Sequence, residues 1–179
     1  SSCRQRELEQ GLLKAMGSQP YAKITLTELC RSLQIPRKTF YRYFPTKEDC
    51  LLALVDHTLA DCNDVALAGW NGGDTLDSRA QLRFFRYWQE HRALLDALRD
   101  NDLQGLLMER TEFIVDRMKE GSPEQSFARE QVEYFIAHGL MAAVLRWHRS
   151  GFPCPPEEMA EVFEKILSSA QVSLSRLLL

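Results

Sequence analysis

Apolar residues recur every three or four positions along most of the chain, which is the spacing of an amphipathic helix. Sustained alternation of apolar and polar residues is absent, so almost nothing is predicted to be strand. The first helix is predicted over about 4–17, where Leu8, Leu12 and Met16 share one face. Later helices are predicted from 47 into the sixties and near 76–90, 92–100, 103–120, 125–150 and 157–178, with a Gly-rich loop at 69–74. The pattern predicts an all-α protein of about nine helices.

Between the first and fourth helices lie two short helical segments joined by a tight turn. Thr25 and Glu28 have the spacing of a capping box, which predicts the start of the second helix. Pro36 suits the first position of a helix, so the third helix is predicted over 37–43. Together these segments predict a helix-turn-helix.

The predicted third helix has one packing side and one polar side. Ile35, Phe40 and Phe44 supply the packing side. The side chains left to face outward are basic residues, tyrosines and a threonine: Arg37, Lys38, Thr39, Tyr41, Arg42 and Tyr43. Positive donors and amphipathic rings on a slender helix are what reading of the DNA major groove requires.

Charge is distributed unevenly along the 179-residue chain, whose formal net charge is −3. Residues 1–47 hold nine Lys or Arg and three Glu, which gives +6, and the remaining 132 residues carry −9. A basic segment joined to an acidic remainder favours a polyanion-binding domain attached to another domain. The alternative is a chance fluctuation of charge over a short window.

The stretch from Ile24 to Glu48, with its core Thr-Phe-Tyr-x-Tyr-Phe-x-x-Lys-Glu, resembles the DNA-binding signature of the tetracycline-repressor (TetR) family. Residues 84–88, 139–147 and 155–160 resemble a branch similar to dihydroxyacetone-operon activators. The resemblance implies a DNA-binding domain over 1–47 and an effector-binding and dimerisation domain over 48–179. Gln34 stands where the family usually has Gly, and Pro36 replaces the usual Ser-like cap.

The resemblance also implies contacts with DNA. Arg37, Lys38 and Tyr41 match base-facing positions, which Thr27 joins, and Thr39, Tyr43 and Lys47 match phosphate contacts, whereas Arg42 suits either. The full predicted set is Thr25, Thr27, Arg37, Lys38, Thr39, Tyr41, Arg42, Tyr43 and Lys47. The alternatives are that Tyr41 holds the N-terminal helices together and that Arg37 and Lys38 form a solvated basic face.

The last two predicted helices carry wide apolar stripes, broader than one neighbouring helix needs. In the family, two such helices from each subunit form a four-helix dimer interface. The residues predicted for it are Val132, Ile136, Leu140, Ala143, Val144, Trp147, Val162, Ile166, Ala170 and Leu174. The alternative for each of them is the core within one chain.

Aromatic residues and a histidine between these regions are candidates for an effector pocket, since apolar walls with a few polar tips suit a small molecule. The candidates are Phe84, Tyr87, Trp88, Phe113, Tyr134 and His138. The alternative for each is ordinary core, and for His138 a core histidine with its hydrogen bonds satisfied.

Other chemistry is not expected. The five cysteines lack a Cys-x-x-Cys pair, which disfavours a disulfide scaffold or zinc site and favours a reducing cytoplasm. We find no catalytic residues, metal ligands or cofactor motif and no membrane-spanning segment. The sequence predicts a dimeric regulator that binds a double-stranded DNA operator under control of a small-molecule effector. The alternatives are a co-regulator that binds a protein partner and, more remotely, a helical enzyme.

Overall fold

The computed structural model describes residues 2–68, 78–119 and 127–177. These residues form nine α-helices and contain no strand, so the predicted all-α fold is confirmed. The helices are α1 (Ser2–Met16), α2 (Leu26–Ser32), α3 (Arg37–Tyr41), α4 (Lys47–Leu67), α5 (Ser78–Glu90), α6 (Arg92–Asp100), α7 (Gly105–Lys119), α8 (Phe127–Arg149) and α9 (Pro156–Leu177), with one 3-10 turn at Tyr21–Lys23. The loop predicted at 69–74 lies outside the described residues.

The chain divides into two compact units. The head unit consists of Ser1–Thr58 and Ala93–Arg110, and the body unit of Leu59–Arg92 and Thr111–Leu179. The head unit contains the whole segment 1–47 and adds to it a second segment, from the middle of the chain. A functional boundary at residue 47 stays a prediction, because compactness alone does not report which residues read DNA.

The head unit is built around an apolar core from α1 to α4. Leu12 and Phe40 are fully buried, and Leu29 is 1% exposed. Gly11 allows α1 to approach the end of α2 closely, because a Cβ there would lie 2.6 Å from Cδ2 of Leu33. Close packing of these short helices fixes the three-helix arrangement that presents α3.

The body unit is organised by packing of α5 against α9 and α8. Phe85 is fully buried and meets Trp147 edge-on, with ring centroids 5.9 Å apart, and Phe163 at 5.4 Å. The indole N–H of Trp147 donates to the carbonyl of Cys154 at 3.0 Å, so the buried ring has its polar atom satisfied. These aromatic contacts form the core of the body unit.

Part of the predicted dimer interface belongs to this core. Leu140, Val144 and Trp147 are 7%, 0% and 3% exposed within the single chain, which agrees with the alternative of a core within one chain, and their place in a dimer interface stays a prediction. Apolar periodicity marks a face that is buried, but it does not say whether the covering surface is the same chain. Val162 and Ile166 on α9 are exposed, whereas Val132, Ile136 and Ala143 are half-buried. The side chains of Ala170 and Leu174 lie outside the described residues.

Candidate nucleic-acid interface

The helix-turn-helix begins with the capping box that the sequence predicts. The Oγ1 of Thr25 accepts the N–H of Glu28 at 3.2 Å, and the carboxylate of Glu28 accepts the N–H and hydroxyl of Thr25 at 3.2 and 2.7 Å. These hydrogen bonds lower the pKa of Glu28. Since both side chains satisfy backbone groups that the helix itself leaves unpaired, the start of α2 is fixed. Thr27, in the first turn of α2, is exposed.

The turn between α2 and α3 adopts a left-handed conformation at Gln34, with φ +55°. The N–H of Gln34 donates to the carbonyl of Arg31 at 3.1 Å, and the N–H of Ile35 donates to that of Cys30 at 3.0 Å. This is the Schellman pattern, which normally carries glycine at the position of Gln34. Pro36 follows in an extended conformation and precedes α3 directly. The replacement of Gly by Gln therefore changes the cost of the turn but not its shape.

Helix α3 is five residues long, shorter than the predicted segment 37–43. Phe40 and Phe44 turn inward and pack with ring centroids 5.7 Å apart, at 0% and 3% exposure. The remaining side chains form the outer surface: Arg37, Lys38, Tyr41 and Arg42 are exposed, and Thr39 and Tyr43 are half-buried. We call these six residues the α3 face.

Arg37 and Tyr41 act as a pair on the α3 face. The guanidinium of Arg37 donates to the hydroxyl of Tyr41 at 3.0 Å, and its Cζ lies 5.7 Å from the ring centroid. This hydrogen bond raises the pKa of Arg37. Both side chains are exposed, with Tyr41 at 47%, so the pair presents a planar cation to solvent in a partly fixed orientation.

Lys47, at the start of α4, points back into the head unit. Its Nζ donates to the carbonyls of Tyr21 and Ile24, both at 2.9 Å, and lies 4.1 Å from the ring centroid of Tyr21. The hydroxyl of Tyr21 donates to Glu48 at 3.2 Å. The predicted role of Lys47 in binding phosphate stays untested, but in the free protein its ammonium holds the segment before α2. The sequence analysis did not identify Tyr21, because its contacts with Lys47 and Glu48 are more than twenty residues away and no local pattern predicts them.

The predicted effector-pocket residues all belong to the body unit. Phe84 meets Trp88 edge-on at 6.5 Å, and Tyr87 stacks on His91 at 3.8 Å. The Nδ1 of His138, which is half-buried, lies 2.9 Å from the carbonyl of Tyr134, and the two rings stack at 4.1 Å. Phe113 is 40% exposed. Whether these residues bind a ligand stays a prediction.

Two clefts have other linings. One, of about 530 Å³ in the head unit, lies between α1 and α6 and is lined by Gln10, Leu13, Lys14, Met16, Gly17, Ala93, Asp96, Ala97, Arg99 and Asp100. The other, of about 180 Å³ in the body unit, lies between α5 and α9 and is lined by Ser78, Arg79, Leu82, Glu157, Ala160, Glu161 and Glu164. Both are open surface grooves with charged rims, unlike an enclosed apolar pocket.

Neither a metal site nor a membrane span emerges from the described part of the chain. No group of three or more His, Cys, Asp or Glu side chains there could hold a metal ion. Among the same residues, no helix combines the length and the apolar character that crossing a bilayer demands.

The capped α2, the left-handed turn and the basic α3 face define a helix-turn-helix DNA-binding protein. Comparison with known families identifies which one. Residues 11–54 match the model of the bacterial regulatory proteins of the tetR family, and residues 79–169, half of the chain, match the model of a transcriptional regulator C-terminal region. The chain therefore belongs to the TetR family of transcriptional regulators, which act on DNA operators.

Among solved structures, the chain is similar to the dihydroxyacetone kinase operon activator DhaS, with a TM-score of 0.66 and 18% sequence identity. The match covers 97% of this chain and 98% of that chain, so the two share a fold over their whole length. No curated protein matches the sequence.

Proposed function

We propose that the protein is a homodimeric transcriptional regulator whose affinity for its operator changes when a small molecule binds the C-terminal domain. In this proposal, residues 1–47 read DNA and 48–179 bind the effector and the second subunit. The protein works in the cytoplasm, without enzymatic activity, cofactor or metal. The α3 face carries the proposal, because it exposes Arg37, Lys38, Tyr41 and Arg42 while Phe40 and Phe44 anchor the same helix in the core.

The exposed pair Arg37 and Tyr41 supports recognition of bases. An arginine guanidinium matches the O6 and N7 acceptors of guanine in the major groove, and each such bidentate contact discriminates by about 1–3 kcal/mol. Lys38 and Arg42 are also exposed and add positive charge that attracts DNA phosphates. A recognition helix of five residues reads few bases, so a two-fold pair of heads is needed for a specific site.

Exposed apolar side chains on the last two helices support dimerisation. Phe135 on α8 is 76% exposed, and Val162 and Ile166 on α9 are 47% and 51% exposed. Gly139, one turn after Phe135, has open space around its Cα and would let another helix approach closely. Large apolar side chains in water favour association, so we propose that this surface, and not Leu140, Val144 or Trp147, meets the second subunit.

DNA binding is tested by selecting sequences from random double-stranded DNA with the purified chain and measuring their affinity at several salt concentrations. We expect two-fold symmetric sites and an affinity that falls as salt rises. Absence of any binding at low salt would instead favour the alternative of a co-regulator acting through a protein partner.

Dimerisation is tested by sedimentation of Phe135→Lys, which places a charge in the proposed interface. The matched control is Gln10→Lys, which places the same charge at an exposed polar position on α1 of the head unit, away from the proposed interface. We expect the first variant to be a monomer and the second a dimer. A wild-type chain that is monomeric at micromolar concentration would overturn the dimer.

A further inference from the structure

Asn101 links the end of α6 to the segment that precedes the helix-turn-helix. Its Oδ1 accepts the backbone N–H of Tyr21 at 2.6 Å, across eighty positions of sequence. Its Nδ2 donates to the carbonyl of Ala97 at 2.7 Å, one turn back on α6. Because the second bond fixes the rotation of the amide, Asn101 presents its oxygen to Tyr21 in a defined orientation.

The 3-10 turn that Asn101 holds is also held by Lys47, at the start of α4. Lys47 donates to the carbonyls of Tyr21 and Ile24, and Ile24 directly precedes Thr25, the N-cap of α2. The turn therefore lies where hydrogen bonds from α6 and from α4 meet, one residue before the helix-turn-helix begins.

The segment that carries Asn101 is attached to the body unit at both ends. The body unit ends at Arg92 and resumes at Thr111, so 93–110 enters and leaves the head unit within eighteen residues. Asp56 and Arg110 form two parallel hydrogen bonds, each 2.5 Å, just before α4 and α7 pass into the body unit. The segment that contains Asn101 is therefore joined covalently to the body unit on both sides.

We propose that Asn101 is a positioning residue for DNA binding: through Tyr21 it fixes the orientation of the helix-turn-helix against the segment 93–110. It does not contact DNA. In a dimer, this orientation sets the separation at which the two α3 faces fit their half-sites. The inference rests on the proposed dimeric DNA-reading function and adds to it the residue that defines half-site spacing.

The test measures affinity as a function of half-site spacing. DNA sites selected by the full-length wild-type chain are resynthesised with one or two base pairs added or removed between the half-sites, and binding is followed by fluorescence anisotropy. For the wild type we expect a sharp optimum, with at least about tenfold weaker binding one base pair away. For Asn101→Ala we expect this penalty to fall below about threefold, with binding to a single half-site unchanged.

Two variants serve as controls. Asn101→Asp keeps an oxygen for the N–H of Tyr21 but loses the N–H donated to Ala97, so it is expected to restore the optimum in part, with a penalty between those of the wild type and Asn101→Ala. Asp100→Ala removes an exposed partner of Arg99 at the same helix end without touching Tyr21, and is expected to leave the optimum in place. If Asn101→Ala does not fold, Asn101→Ser, whose hydroxyl is too short to reach Tyr21, takes its place.

A sharp optimum in Asn101→Ala, or a loss that is equal at every spacing and equally present on a single half-site, overturns the inference. The second result would assign Asn101 a role in stability alone. These results are distinct from failure of the proposed function, in which the wild-type chain selects no DNA at low salt and the inference falls with it.

Discussion

The carboxylate of Glu9 on α1 lies 2.8 Å from Nδ1 of His57 on α4, and it is fully buried while the imidazole is 34% exposed. A carboxylate withdrawn from water costs several kcal/mol unless a partner compensates it. His57 is that partner here, so the pair ties the first helix of the head unit to the helix that continues into the body unit. We expect His57→Ala to lower the free energy of unfolding by about 3 kcal/mol, measured by urea denaturation.

The double variant Glu9→Leu with His57→Leu is the control for this expectation. It removes the buried charge together with its partner, so its stability is expected to lie close to that of the wild type. A loss below about 1 kcal/mol in His57→Ala would mean that other groups compensate Glu9.

Gln34→Gly is expected to stabilise the protein. Gln34 has φ +55°, and a residue with a side chain costs about 1–2 kcal/mol in this left-handed conformation. Glycine avoids that cost, but it loses more conformational entropy on folding, which offsets part of the gain. The expected gain is about 0.5–1 kcal/mol in urea denaturation. Gln34→Ala keeps the unfavourable conformation and serves as the control. Equal stability of the Gly and Ala variants would contradict a conformational origin.

The sequence could predict contacts between near neighbours in the chain, but not contacts between distant residues. The capping box joins Thr25 to Glu28, three positions away, so the local pattern predicts it, and the family resemblance pointed to the unusual residue at Gln34. The partners Glu9 and His57 are forty-eight residues apart, and nothing local in either helix selects the other. Lys47 matched a phosphate contact by resemblance, yet only the tertiary structure shows that its ammonium reaches the carbonyl of Tyr21.

The wide apolar stripes show a second limit. Leu140 and Val144 are four positions apart on α8, as residues of a helical interface would be, but both are buried within their own chain. Burial depends on which helices pack together, and period alone does not specify that. For the same reason, the sequence did not predict that the segment 93–110 belongs to the head unit. Its apolar spacing predicts helices but does not say which other helices they pack against.

Alkaline pH is expected to destabilise the protein partly through Cys50. Burial, and secondarily the charge of Glu9, raise the pKa of this thiol from 9.0 to about 12. Between these values the unfolded chain has lost the thiol proton and the folded chain retains it. The free energy of unfolding therefore falls as pH rises, by up to about 1.4 kcal/mol per pH unit for this group.

Cys50→Ala is expected to flatten that decline between pH 9 and 12, whatever its effect on stability at neutral pH. Cys3→Ala, at an exposed thiol, is the control for removal of a cysteine as such. The measurement is urea denaturation across this pH range. Parallel curves for Cys50→Ala and the wild type would show that Cys50 makes no contribution.

Lys47→Met is expected to lower stability in the absence of DNA. The ammonium of Lys47 donates to two backbone carbonyls, and a hydrogen bond to a charged group contributes about 1.5–3 kcal/mol. Lys38→Met removes a lysine from the exposed α3 face and is expected to change stability by less than about 0.5 kcal/mol while weakening DNA binding. The measurement is the midpoint of thermal unfolding of the two variants without DNA. Identical midpoints would show that the ammonium of Lys47 does not stabilise the folded protein.

Arg37→Ala is expected to weaken binding to the selected operator by about 1–3 kcal/mol and to relax preference at one base pair, because the exposed guanidinium can fork onto guanine. Tyr41→Phe keeps the ring beneath Arg37 but removes the hydroxyl that accepts its N–H at 3.0 Å, so it is expected to reduce affinity less and to retain the base preference. The affinities of each variant for operator and for random DNA, measured at one fixed salt concentration, show whether Arg37 reads a base or binds a phosphate. An equal loss on both DNAs in Arg37→Ala would assign Arg37 to phosphate binding, because a phosphate contact carries no sequence information.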